Sequence, residues 1–124
     1  MATKPKFELQ VDAAKNLATL RYFGHVTAAD TQAAAAKIER VLPQLRSGFT
    51  VLTDLSELES MDLDCVPSLT KIMDLLRAKG VATVVRVVPD AAKDIGFNIL
   101  SIIHLRRGVK IITCETLEEA RRAL

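Results

Sequence analysis

Tryptophan is absent from this 124-residue chain, tyrosine occurs once, and only 4% of residues are aromatic. Single-strand nucleic-acid binders stack bases on aromatic platforms, so this scarcity counts against that class. The charge balance agrees. With 17 basic and 15 acidic residues the formal net charge is +2, too weak a field to steer a polyanion, and no nucleic-acid partner is expected. No apolar run approaches the about 20 residues that cross a bilayer. The most apolar helix candidate, Ile95 to Leu105, is interrupted by Asn98, Ser101 and His104, so no transmembrane segment is expected. The polar opening Met1-Ala2-Thr3-Lys4-Pro5-Lys6 carries no signal-peptide apolar region, which leads to the expectation of a cytoplasmic protein.

Glycine is sparse too. Gly24, Gly48, Gly80, Gly96 and Gly108 stand singly and form neither a GxGxxG loop nor a Walker-type phosphate loop, which excludes nucleotide binding through those motifs. Cys65 and Cys114 make no CxxC pair, and with only His25 and His104 as companions they do not compose a zinc ligand set. They read as buried free thiols of a reducing compartment. No metal or cofactor is expected. A nucleophile needs a base within reach, and neither histidine belongs to a recognisable catalytic motif, so no catalytic residue is assigned and the chain is not expected to be an enzyme.

What is present is an ordinary globular composition, 49% hydrophobic and 26% charged, in a length suited to one domain spanning residues 1–124. Phe7 to Val11 alternates apolar and polar, Asp12 to Asn16 is turn-like, and Leu17 to Phe23 resumes the extended pattern, which predicts an antiparallel hairpin. Thr27, three residues before Asp30, heads an alanine-rich helix that Pro43 terminates. Phe49 to Leu55 reads as a buried strand. Val66, Leu69, Ile72, Met73 and Leu76 have helical spacing, with Gly80 closing the helix. Val81 to Val88 is the most β-prone run. A third helix is expected from Asp94 to Arg107, then a strand from Val109 to Cys114 and a terminal helix opened by Thr116 and Glu119. Strands alternating with helices imply an α/β fold with a mixed, mostly parallel sheet, an N-terminal antiparallel hairpin and about four helices. If the helices pack on one main face, the other is left partly open or covered at an interface.

The densest charge is Asp54, Glu57, Glu59, Asp62 and Asp64, five carboxylates within eleven positions. The spacing does not follow a calcium loop. Ser56 to Asp64 reads as a solvated connection, with Asp64 placed to accept a backbone N–H and cap the helix that holds Pro67 in its first turn.

That junction also carries a family likeness. The stretch from Val51 to Leu69, VLTDLSELESMDLDCVPSL, resembles the strand, loop and helix of STAS domains, the anti-sigma factor antagonist family, whose pattern is an apolar strand, DLS, a few residues, and DSSGL opening a helix. Asp54-Leu55-Ser56 matches the first part and Asp62 the start of the second, and the order of elements fits over nearly the whole chain. The resemblance implies a STAS-like regulatory module that binds a protein partner through this loop and helix end, an anti-sigma factor-like kinase being one candidate. In that family serine phosphorylation is the switch. Aligning Asp62 with the family aspartate puts Leu63 and Asp64 at the two serines and Cys65 at the glycine, so the phosphorylatable position holds a carboxylate.

The binding residues expected on this basis are Asp62, Asp64, Cys65 and Ser68, joined by Phe97 on the apolar third helix, which would also be the surface for a homodimer or partner. An alternative from a different class is a carrier or sensor that binds an apolar small molecule or lipid.

Overall fold

The computed structural model describes residues 6–88 and 108–124. The chain opens with β1 (Phe7–Asp12) and β2 (Leu17–Val26), paired antiparallel from Phe7↔Tyr22 to Asp12↔Leu17. Asn16 turns the hairpin at φ 52, a left-handed conformation that asparagine tolerates. Its side chain then binds the backbone of Arg46 through both its oxygen and its nitrogen, at 2.8 and 3.1 Å.

Helix α1 (Ala28–Val41) begins as expected, with the Thr27 N–H donating to the Asp30 carboxylate at 2.8 Å, and gives way to a 3-10 turn at Leu42–Gln44 that contains Pro43. Strand β3 (Thr50–Met61), helix α2 (Val66–Lys79), strand β4 (Thr83–Val87), strand β5 (Lys110–Cys114) and helix α3 (Leu117–Ala123) follow. Gly80 ends α2 at φ 100, and a Cβ there would collide with the Ser47 side chain. In α3 the Glu119 N–H donates to the Thr116 hydroxyl at 3.1 Å. The helix expected from Asp94 to Arg107, with Phe97 and His104, lies outside the described residues.

The five strands form one sheet in the order β1-β2-β3-β4-β5, antiparallel between β1 and β2 and parallel elsewhere. One face packs against α1 and α2, where Leu20, Val51 and Val84 meet Ile38, Leu69 and Ile72. Burying such a side chain contributes about 1.5–3 kcal/mol, so this layer supplies most of the core. The other face is partly covered by α3, whose Leu117 and Ala120 pack on Leu52, Val85 and Cys114. Helices therefore lie on both faces. Right-handed crossovers put α1 and α2 on the same side, whereas α3 follows the last strand and is free of that constraint.

The acidic stretch is a correction to the expected loop. Strand β3 continues through Ser56 to Met61, paired with β2 as far as Val26↔Met61. Two register shifts, between Arg21 and Phe23 and between Gly24 and His25, keep the strands together. They also break the period of two, because Leu55 and Leu58 are both buried although three residues apart. Among the described residues no helix is long and apolar enough to cross a membrane.

Candidate functional site

The long β2–β3 pair delivers its ends to the start of α2. Val26 accepts the Asp62 N–H at 3.1 Å, and the Asp62 carbonyl then accepts the Cys65 N–H at 3.0 Å, closing a 3-10 turn at Leu63–Cys65 that leads directly into α2. The Asp62 carboxylate reaches sideways to His25 Nε2 at 3.0 Å, and His25 Nδ1 hydrogen-bonds the Ser60 hydroxyl.

Asp64 does not cap α2. Cys65 occupies the N-cap position, and Asp64 lies one residue earlier inside the 3-10 turn, exposed. The turn already has helical geometry from Leu63 onward, so no extended residue remains at position 64 to present a capping oxygen. Pro67 is accommodated in the first turn of α2, where its missing N–H has no intrahelical partner to lose.

The expected binding residues separate into two groups. Asp62 and Asp64 are on the surface, whereas Cys65 is fully buried and Ser68 is 8% exposed. The Cys65 thiol donates to the Val26 carbonyl at 3.6 Å. Burial pushes that thiol above its ordinary value, and the charges of Asp62 and Asp30 push the same way against an opposing hydrogen bond with Thr31. Cys65 is thus an anchor under the turn. Phe97 lies outside the described residues.

Sequence reasoning missed the most prominent feature of the turn. Leu63 is 88% exposed and Val66 39% exposed, two large apolar side chains beside two carboxylates. Exposure of single apolar residues is common, but an apolar pair on a hydrogen-bonded turn flanked by charges has the make-up of a contact surface. The partnering of His25 with Asp62 was missed as well, because it depends on register shifts that leave no pattern in the sequence.

Ser60, His25 and Asp62 carry the side-chain types of a nucleophilic triad, but their setting differs from one. The His25 and Asp62 side chains are 51% and 45% exposed, and Ser60 is exposed, so water has free access where catalysis needs a preorganised, dry site. No group of three or more His, Cys, Asp or Glu among the described residues is placed to hold a metal ion.

No family model matches the chain, and no curated protein matches it. Solved structures do. An uncharacterized protein of the DUF3478 family with a SpoIIAA-like fold, from Shewanella loihica PV-4, superposes with a TM-score of 0.72 at 13% identity, covering 100% of this chain and 98% of that one. The anti-sigma factor antagonist SpoIIAA in its unphosphorylated form gives 0.65 at 19% identity over 94% of this chain and 96% of that one. An anti-sigma factor antagonist from Mycobacterium paratuberculosis gives 0.60 at 16% identity over 99% and 97%. At such identities the likeness is one of fold, and the chain has a STAS-like α/β fold.

Proposed function

We propose that this protein is a non-catalytic regulatory module of the cytoplasm that binds a protein partner through the β3–α2 junction, without a serine phosphorylation switch at that point. The observation that carries the reading is the exposed pair Leu63 and Val66 beside the exposed carboxylates of Asp62 and Asp64. Apolar anchors rimmed by charge give a protein interface its affinity and its orientation respectively. Two of the structural neighbours bear the name anti-sigma factor antagonist, which supports a regulatory partner, an anti-sigma factor-like kinase being a candidate. Asp64 stands where that family's pattern has a serine, and a carboxylate carries less charge and fewer acceptor oxygens than phosphoserine. Its charge is therefore constant, and partner binding is not gated by phosphorylation there.

Site-specific photocrosslinking in the native host tests this reading. A crosslinking residue at Leu63 should trap one discrete protein, the trap should be lost on adding Asp64→Lys, and the same residue at Glu118 on α3 should not give that adduct. Identical adducts from both positions would refute the assignment of the surface.

A further inference from the structure

Helix α3 covers only part of its side of the sheet. It packs mainly over β3, β4 and β5, while on β1 the side chains of Glu8, Gln10 and Asp12, register partners of Arg21, Thr19 and Leu17 and so on the same side, are exposed. A groove of about 850 Å3 lies between α3 and this uncovered strip. Leu17 and Leu52 belong to its floor, and one face of α3 forms a wall, with Leu117, Arg121 and Leu124 about one helical turn apart. The groove stands at the Leu17↔Thr50 end of the sheet, whereas the junction surface is at the Val26↔Met61 end.

Shape and charge both describe the occupant. The uncovered strip is two strands wide, about 10 Å at the usual strand spacing, which is the width of one α-helix. A helix laid there would lie beside α3 on the same face of the sheet, its apolar side against Leu117 and against Leu124, which is 50% exposed. Lys15, from the β1–β2 turn, and Arg121, from α3, rim the groove; both are exposed, and among the described residues neither side chain makes an ion pair. Asp12 accepts the Lys15 backbone N–H and not its ammonium. Arg21 also lines the groove, but its charge is engaged by Asp54. Among the described residues no carboxylate lines it.

We propose that this groove binds an acidic amphipathic α-helix of a partner protein, with the apolar stripe of that helix on Leu17, Leu117 and Leu124 and carboxylates beside the stripe meeting Lys15 and Arg121. A helix seated in a groove is anchored by apolar residues recurring every three or four positions, and the leucines offer such anchors their contact. The two unpaired cations select an acidic helix over a basic one and fix its placement more than they add affinity, because both are at the solvent-exposed rim. The groove and the junction lie at opposite ends of the sheet, so both can be occupied at once. This reading goes beyond the proposed interface at the junction and does not depend on it.

The test is a nuclear magnetic resonance titration of the full chain with synthetic peptides of about 18 residues, or about five helical turns. One carries a leucine stripe at helical spacing flanked by glutamates, a second has lysine for every glutamate, and a third has the composition of the first in an order that breaks the stripe. The acidic striped peptide should give saturable shifts at Leu17, Thr19 and Leu117, and the other two should give none. Lys15→Glu combined with Arg121→Glu, at two exposed positions, should keep the spectrum of a folded protein, weaken the acidic peptide at least about tenfold and bring on binding of the lysine peptide. Lys15→Glu alone should weaken the acidic peptide about threefold. Absence of saturable shifts with the acidic peptide, equal binding of the acidic and rearranged peptides, shifts centred on Leu63 and Val66, or undiminished binding in either folded variant would each overturn the proposal. So would a concentration-dependent dimer that shifts the same residues before any peptide is added, which would assign the groove to a second copy of the chain.

Discussion

The Asp54 carboxylate, fully buried in β3, accepts a hydrogen bond from Arg21 Nε of β2 at 3.0 Å, and the two residues are register partners in the parallel pair. The second Asp54 oxygen accepts the Ser56 N–H at 2.9 Å. Arg21 remains about one-third exposed and also reaches Glu57 at 3.4 Å and Glu8 at 3.7 Å, with its guanidinium 5.2 Å from the centre of the Phe23 ring. Removing Arg21 strands a buried charge, so Arg21→Ala should destabilise the protein by about 3 kcal/mol in urea unfolding. The exposed partners matter far less. Glu8→Gln and Glu57→Gln should each cost less than about 1 kcal/mol.

Capping separates the two helix starts. At α1 the Asp30 carboxylate accepts the Thr27 N–H, so Asp30→Ala should cost about 1 kcal/mol. Asp64 is exposed and outside the N-cap position of α2, so Asp64→Ala should change stability by less than about 0.5 kcal/mol. Thermal unfolding of the two variants side by side checks the contrast, and a loss at Asp64 equal to that at Asp30 would speak against the observed turn geometry.

Stability should fall in alkali. Burial raises the Tyr22 hydroxyl and the Cys65 thiol above their ordinary values of 10.0 and 9.0, so the folded state holds these protons where the unfolded chain releases them. Their stabilising contribution is complete below the unfolded values and is lost progressively as pH rises past about 9 and then 10. Urea midpoints at pH 7 and pH 10.5 should therefore differ less in Tyr22→Phe than in the native protein. An equal drop in both would show that the phenol does not contribute.

Backbone conformation gives a further check at the end of α2. Gly80 adopts φ 100 and its Cβ position is occupied by Ser47, so Gly80→Ala should cost more than about 1 kcal/mol, and Gly80→Ala combined with Ser47→Gly should recover only the steric part. Chemical denaturation resolves the two contributions.

The fold was legible because its strongest signals are local. The alternation in β1, the apolar spacing of Leu69, Ile72, Met73 and Leu76, and the Thr27 and Thr116 capping pairs each act within a few residues. The continuation of β3 was not, since Glu57, Glu59 and Ser60 look like a solvated loop and are held in a strand only by the irregular register with β2. At the junction the sequence grouped residues that the structure separates into exposed and buried sets. Burial of Cys65 and Ser68 follows from the 3-10 turn, and that turn, which exposes Leu63, has no distinct sequence mark.

The most direct test of the interface is calorimetric. The protein trapped at Leu63 would be purified and titrated with native chain and with Leu63→Ser, whose exposed position leaves the fold intact. If the junction is the binding surface, loss of this apolar anchor weakens affinity at least about tenfold, as truncation of a central contact does. Affinity within about twofold of the native value would contradict the account.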